Sequence, residues 1–298
     1  MLSGNIQSDI MCLIFINFGV TMKTLFISDL DGTLLNSQGK LSARTAEIID
    51  KLTNDGVLFT VATARTYATV MEMFRNISLP CPLVLMNGVT IYDPQRRNII
   101  KSNSIPCELG NRIIHEFRSR DIEPMLYFQN GETLEIYYNQ LTNDYQKEYV
   151  SQRINCSGKK FIHSPTPVSI EDKNLVYIVC LDYYDRIKDI YETISGFDDA
   201  HCMFYKDNYV PDMYYLEIIT KKVSKASGTL FVKDFIEADK VVAFGDNLND
   251  IPLFEIADEA YAVSNAEQRL KDIATGVIGS NDEDAVAEFI LGYTKNEE

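Results

Sequence analysis

The chain is short of basic charge, of paired cysteines and of long apolar runs, and each shortage closes off a class of function. Only 28 Lys and Arg stand against 43 Asp and Glu in 298 residues, a formal charge of −15. Nucleic acids are held by basic patches that neutralise phosphates, so no nucleic-acid partner is expected. The six cysteines, Cys12, Cys81, Cys107, Cys156, Cys180 and Cys202, form no CxxC pair. That argues against a zinc site or a disulfide scaffold and for reduced, mostly core thiols in a cytoplasmic protein. The apolar run Ile10 to Val20 has eleven residues, about half the roughly 20 that span a bilayer. Neither a membrane partner nor a secretory signal is expected, because residues 1–21 carry Asp9 and no Lys or Arg. They read as a poorly ordered extension. Also missing are a Walker-type glycine loop, a His-Glu-x-x-His motif and a Gly-x-Ser-x-Gly elbow.

What is present has the composition of a globular protein, 46% hydrophobic and 24% charged, at a length that suits about two domains. Short apolar runs at Thr24 to Ser28, Val57 to Ala62, Leu83 to Met86 and Lys240 to Phe244 alternate with amphipathic segments. Ser42 can cap a helix that carries Ile48, Ile49 and Leu52 and ends near Gly56; Val70, Met73, Phe74 and Ile77 recur at helical spacing. Apolar strands joined by helices imply crossovers and a doubly wound α/β core built on a parallel sheet. After Asn87-Gly88 the texture changes. Asn130-Gly131 has the centre of a type I′ hairpin between Met125 to Phe128 and Leu134 to Tyr138. Helix and strand patterns follow at Glu108 to Arg120, Leu175 to Leu181, Asp185 to Ile194 and Tyr214 to Ile219, and 14 of the 17 tyrosines fall between Asn87 and Thr220. The division expected is a core of residues 22–87 plus 220–298, with 88–219 as an inserted α+β domain.

Ligands of open α/β sheets bind at the carboxyl ends of the strands. Here the strand ends are polar: Asp29-Leu30-Asp31-Gly32-Thr33, then Thr63-Ala64-Arg65, then Gly245-Asp246 with Asn249-Asp250. Carboxylates converging from two strands repel unless a cation joins them, and hard oxygen donors suit Mg²⁺, so Asp29 and Asp246 are the expected metal ligands. Gly32 turns the chain and separates Asp31 from Asp29, leaving one carboxylate free for nucleophilic work and the other for proton transfer. A calcium loop is excluded, because Gly32 is fourth and Lys40 twelfth from Asp29. Cys180 to Arg186 has the spacing of a cysteine phosphatase, but Asp182 and Asp185 would repel phosphate.

These strand-end motifs resemble the haloacid dehalogenase superfamily of phosphohydrolases. The resemblance makes Asp29 the nucleophile, Asp31 the acid and base, Thr63 a phosphate-binding hydroxyl, and Lys225 the lysine that balances charge on nucleophile and phosphate. Lys221 and Lys222 are the nearby alternatives. It further implies Leu30, Ala64 and Asn249 as phosphate-binding, Asp250 as a supporting residue, and Mg²⁺ held by Asp29, Asp246 and the carbonyl of Asp31. The position of the insert resembles a type C2 cap, and Asn87-Gly88 with Ala262 to Ala266 resembles the Cof-type branch. Ala64 stands where glycine is common, and Lys225-Ala226-Ser227-Gly228 displaces the glycine usually next to the lysine.

The function this implies is Mg²⁺-dependent hydrolysis of a small phosphorylated metabolite, such as a sugar phosphate, through an aspartyl-phosphate, by a monomer or weak homodimer. Flavin and pyridoxal phosphates are further substrate candidates. A sugar phosphomutase of the same superfamily and a non-catalytic phosphometabolite-binding protein are the alternatives.

Overall fold

The computed structural model describes residues 22–156, 158–207 and 210–297. The expectations for residues 1–21 and Cys12 lie outside them. The first strand, β1 (Thr24–Ser28), leads to α1 (Ala43–Asn54), which starts where Ser42 Oγ accepts the Thr45 N–H at 2.9 Å and buries Ile48, Ile49 and Leu52. Then come β2 (Leu58–Val61), α2 (Tyr67–Met73) and β3 (Leu83–Leu85). After the insert the chain resumes with α6 (Lys225–Ile236), β12 (Lys240–Gly245), α7 (Ile251–Ile256), β13 (Glu259–Ala262), α8 (Gln268–Lys271), β14 (Gly276–Val277) and α9 (Ala285–Glu297). Five of these strands form a sheet in the order β14-β13-β12-β1-β2, every pair parallel. The central strands are buried almost throughout, as a sheet covered on both faces requires. This is the expected α/β core.

A parallel bridge from Ala62 to Val84 joins β2 to β3, which pairs antiparallel with β4 (Thr90–Asp93), and β4 pairs antiparallel with β5 (Asn98–Ser102). Ile91 and Tyr92 are buried in the same hydrophobic cluster as β1 and β12, whereas Ile105 opens the next cluster. The expected division at residue 88 therefore runs through contacts of the first cluster.

The insert comprises α3 (Cys107–Arg118), β6 (Met125–Asn130), β7 (Thr133–Tyr138), α4 (Asp144–Arg153), β8 (Lys159–His163), β9 (Leu175–Tyr183), α5 (Tyr184–Ser195), β10 (Ala200–Lys206) and β11 (Met213–Thr220). Its sheet runs β10-β11-β9-β6-β7-β8, antiparallel except between β7 and β8. Side chains alternate across it. Ile178, Cys180, Leu216 and Ile218 face α3 and α5, while Tyr177, Val179, Tyr215 and Ile219 face α4 and the segment after β3, through Met86 and Val89.

Two expectations need correction. Asn130 pairs with Thr133, so the hairpin loop is Gly131-Glu132 and not Asn130-Gly131; Gly131, at φ +56°, takes the first loop position, where glycine alone is free of strain. The thiols are not mostly core: Cys81 and Cys180 are buried, but Cys107 and Cys156 are exposed. Among the described residues no helix is long and apolar enough to cross a membrane.

Candidate active site

The parallel pairing carries on past the strand ends and fixes where the polar residues emerge. The Asp29 N–H donates to Phe244 O at 3.0 Å, the Ala62 N–H to Ser28 O at 2.9 Å and the Thr63 N–H to Val84 O at 2.9 Å. Asp29, Thr63 and Asp246 thus leave neighbouring strands at one edge of the sheet.

Lys225 comes to this edge from a helix start. Ser224 and Ser227 cap α6 reciprocally, through Ser227 N–H to Ser224 Oγ at 3.1 Å and Ser224 N–H to Ser227 Oγ at 3.0 Å. That places Lys225 in the first turn, where the helix dipole disfavours a cation. Two carboxylates overcome this: Lys225 Nζ lies 2.6 Å from Asp29 Oδ1 and 2.7 Å from Asp250 Oδ1, with all three side chains buried. Asp250 Oδ2 accepts the backbone N–H groups of Asp246 and Asn247, each at 3.1 Å. With three accepted hydrogen bonds, Asp250 ties Lys225 to the turn that carries Asp246.

Asp246 Oδ1 accepts from Thr33 Oγ1 at 3.0 Å. Gly32 makes room for this approach: its φ is +79°, and a Cβ there would lie 2.3 Å from Asp246 Oδ2. Asn265 Nδ2 holds the same turn by donating to Gly32 O at 2.8 Å.

The electrostatics follow from three carboxylates sharing one ammonium. Burial, with the charges of Asp250 and Asp246, pushes Asp29 up to about 8 against the pull of Lys225. Burial and then Asp250 push Asp246 up to about 6. Burial alone would lower Lys225, but the charges of Asp29 and Asp250 outweigh it and hold the ammonium protonated. One oxygen from each of Asp29, Asp246 and Asp250 lies within 4.8 Å of the others. Asp250 accepts three hydrogen bonds and Asp29 and Asp246 one each, from Lys225 and Thr33, so most of the acceptor capacity left for a cation belongs to Asp29 and Asp246. A buried, hard-oxygen site with surplus negative charge has the donor chemistry of a divalent-cation site.

Asp31 stands apart. Arg65 grips it bidentately, Nη2 to Oδ1 at 2.6 Å and Nε to Oδ2 at 2.7 Å, and the Asp31 side chain is 53% exposed. The fully buried Thr63 accepts the Arg65 N–H at 3.1 Å on its Oγ1, so the two residues share one loop. The Leu30 side chain is buried and Ala64 is exposed. Asn249 is exposed on the turn with Asp250 and, among the described residues, its side chain has no hydrogen-bond partner. The structure thus brings together Asp29, Lys225, Asp246 and Asp250, with Asp31 and Thr63 alongside, and leaves Asn249 outside the hydrogen-bonded group. The sequence alone assigns Thr33 and Arg65 no role. Both close strand-end motifs that had been read, but their partners lie 213 and 34 residues away.

Residues 26–290 match the family model described as haloacid dehalogenase-like hydrolase. A phosphatase of 5-amino-6-(5-phospho-D-ribitylamino)uracil from Bacillus subtilis, YwtE, is 29% identical over 288 residues, covering 90% of this chain and 97% of that protein. A pyridoxal phosphate phosphatase from Escherichia coli, YbhA, is 22% identical over 278 residues, covering 89% and 96%. Among solved structures, a haloacid dehalogenase-like hydrolase from Bacteroides thetaiotaomicron has the same fold, with a TM-score of 0.72 at 20% identity over 92% of this chain and 100% of that one. A match that begins in β1 and ends in α9 spans both halves of the core and everything inserted between them, so the chain belongs to the haloacid dehalogenase-like hydrolases, in their Cof-type phosphatase branch.

Proposed function

We propose that the protein is a Mg²⁺-dependent phosphatase that hydrolyses small phosphomonoesters through an aspartyl-phosphate on Asp29. The observation that carries the reading is the buried Lys225 ammonium between Asp29 and Asp250, with Asp246 beside them. Burial favours the protonated form of Asp29, so the ammonium, together with a cation when one is bound, would hold Asp29 ionised for attack and offer positive charge to an incoming phosphate.

Asp29 and Asp246, with the carbonyl of Asp31, would hold Mg²⁺, which when bound neutralises phosphate oxygens. An Asp29 oxygen attacks phosphorus as the bond to the leaving alcohol breaks, and Asp31 delivers a proton to the departing oxygen. Asp31 then takes a proton from the water that attacks the phosphoryl group, which frees Asp29 and inorganic phosphate. Lys225 offsets charge on Asp29 throughout, and Thr63, with the backbone at Leu30 and Ala64 and the amide of Asn249, binds the transferred group. Asp250 keeps Lys225 and the Asp246 turn in place.

The inserted domain acts as a cap that closes over the strand ends and excludes water. The packing supports drawing its boundaries near residues 104 and 223, with the β4–β5 hairpin as part of the core. A covered site suits small metabolites in the cytoplasm. The relatives' names support phosphorylated sugar alcohols and heterocyclic cofactor phosphates as substrates to try first.

Phosphate release from a panel of sugar, nucleotide and cofactor monophosphates, with Mg²⁺ or with chelator, tests the proposal on wild type and Asp29→Asn. Release that requires both the metal and Asp29 is expected. Turnover by Asp29→Asn close to wild type would overturn the covalent step, and isomerised sugar phosphate in place of inorganic phosphate would make the enzyme a mutase.

A further inference from the structure

The cap sheet turns one polar cluster toward the strand ends, and its hydrogen bonds all run in one direction. Asn87 follows β3, where its N–H donates to Thr63 O at 2.9 Å, and the next residue, Gly88, packs on Ser224 beside Lys225. Asn87 is 8% exposed, and its Oδ1 has no hydrogen-bond partner among the described residues. Its amide nitrogen lies 3.6 Å from Met203 Sδ, with the Tyr177 hydroxyl close by. Tyr177 donates in turn to Glu217 Oε2 at 3.2 Å, and the Tyr205 hydroxyl stands beside the same carboxylate. Glu217 sits between Tyr215 and Ile219 on the face of β11 that looks toward α4 and the segment after β3.

The Tyr177 donor is spent on Glu217 and the Asn87 amide is turned to Met203, with the Tyr205 hydroxyl facing the same carboxylate. What remains for a ligand is acceptor capacity: the Asn87 carbonyl and the unused lone pairs of Glu217. Among the described residues no cation offsets Glu217, which is held by the two hydroxyls alone. A ligand rich in donors satisfies such a surface, while an anionic one meets a like charge and leaves the buried acceptors unpaired.

We propose that Asn87 and Glu217 recognise the leaving group and select phosphomonoesters whose alcohol carries hydrogen-bond donors, a protonated amine first and hydroxyls next, against those bearing a second carboxylate or phosphate. This rests on the phosphatase reading above, and deepens it by naming the substrate class.

The test compares the terminal-hydroxyl phosphates of glucosamine, glucose and gluconic acid, which relative to glucose carry an ammonium at C2 or a carboxylate at C1 and so make the alcohol cationic, neutral or anionic. Wild type should prefer the amine over the acid in kcat/KM by about tenfold or more, and Glu217→Gln, which keeps the shape and removes the charge, should shrink that ratio by about tenfold. The same ratio in both proteins, or a preference for the acid, overturns the proposal. Should Glu217→Gln fail to fold, Asn87→Ser must lower the preference for the amine over the acid, and an unchanged ratio overturns the proposal equally. Should wild type release no phosphate from any ester, the phosphatase reading falls by itself. Calorimetric binding of the same three esters to wild type and Glu217→Gln then decides: the amine-first order, lost in the variant, upholds the recognition site, and equal affinities overturn it.

Discussion

Arg65 holds Asp31 by two parallel hydrogen bonds, 2.6 and 2.7 Å long, on the exposed side of the strand ends. A protonated carboxyl accepts two guanidinium bonds less well than a carboxylate does, so in the proposed mechanism the pair would loosen while Asp31 carries the proton it delivers and re-form when it is ionised as a base. Arg65 is thus a positioning residue. Arg65→Lys keeps the charge and loses the planar fork. Steady-state kinetics should show kcat lower by about tenfold with KM changed less, as for loss of orientation alone. Thermal stability should move by under about 1 kcal/mol, because the pair is solvent-exposed. An unchanged kcat would reduce the contact to a surface ion pair.

Lys225 is the one ammonium for two buried carboxylates. Lys225→Met leaves Asp29 and Asp250 facing each other without compensation, and removing one partner of a buried pair is destabilising by about 3 kcal/mol or more. Urea denaturation of the metal-free variant at neutral pH should show that loss, alongside a collapse of turnover. A midpoint equal to wild type would mean that Lys225 is dispensable for the fold.

The contact between Gly32 and Asp246 admits no side chain. Gly32→Ala adds roughly 1–2 kcal/mol of left-handed backbone strain and drives Asp246 from its position. The Mg²⁺ concentration for half-maximal turnover should rise steeply while far-ultraviolet circular dichroism stays as in wild type. Unaltered metal dependence would remove Asp246 from the metal site.

Glu217 gives the chain a pH-dependent weakness. Burial raises its carboxyl above the usual 4.5, and the hydroxyls of Tyr205 and Tyr177 only partly oppose this. Tyr127 from β6, Tyr149 from α4 and Tyr215 from β11 complete its surroundings, while Arg153 of α4 acts on those three tyrosines and not on Glu217. The folded state then holds its proton more tightly than the unfolded state, so this site's contribution to stability is full below 4.5 and declines as pH rises through the folded value. Melting temperatures across pH should show Glu217→Gln more stable than wild type at neutral pH, with the difference shrinking toward pH 4.5. A variant less stable at neutral pH would show that the charge is satisfied where it sits.

The sequence is most legible where structure is local. The run Thr24 to Ser28 is β1 residue for residue, and Ser42 caps α1 through a neighbour three positions on. The strand-end carboxylates were readable because parallel strands deliver their last residues to one edge whatever lies between them. Legibility ends where a role depends on a distant partner. Nothing near Arg65 in the chain points to Asp31, and Glu217, between apolar Leu216 and Ile218, reads as an ordinary outward residue of a half-buried strand. Only the return of the segment after β3 and of α4 covers that face. The hairpin shifted by one position because an Asn-Gly pair and a glycine-first loop share the same glycine, and only pairing with Thr133 separates them.

Asn103 folds back on Val89 and Gly88, with N–H to Val89 O at 2.8 Å and Nδ2 to Gly88 O at 3.1 Å, while Gly88 is pressed against Ser224. The chain therefore leaves the core and re-enters it at one spot. A segment whose two ends meet can be gained, lost or exchanged without moving any strand of the parallel sheet. Replacing that segment would change what covers the strand ends, and with it the proposed substrate, while the residues at the strand ends stay as they are.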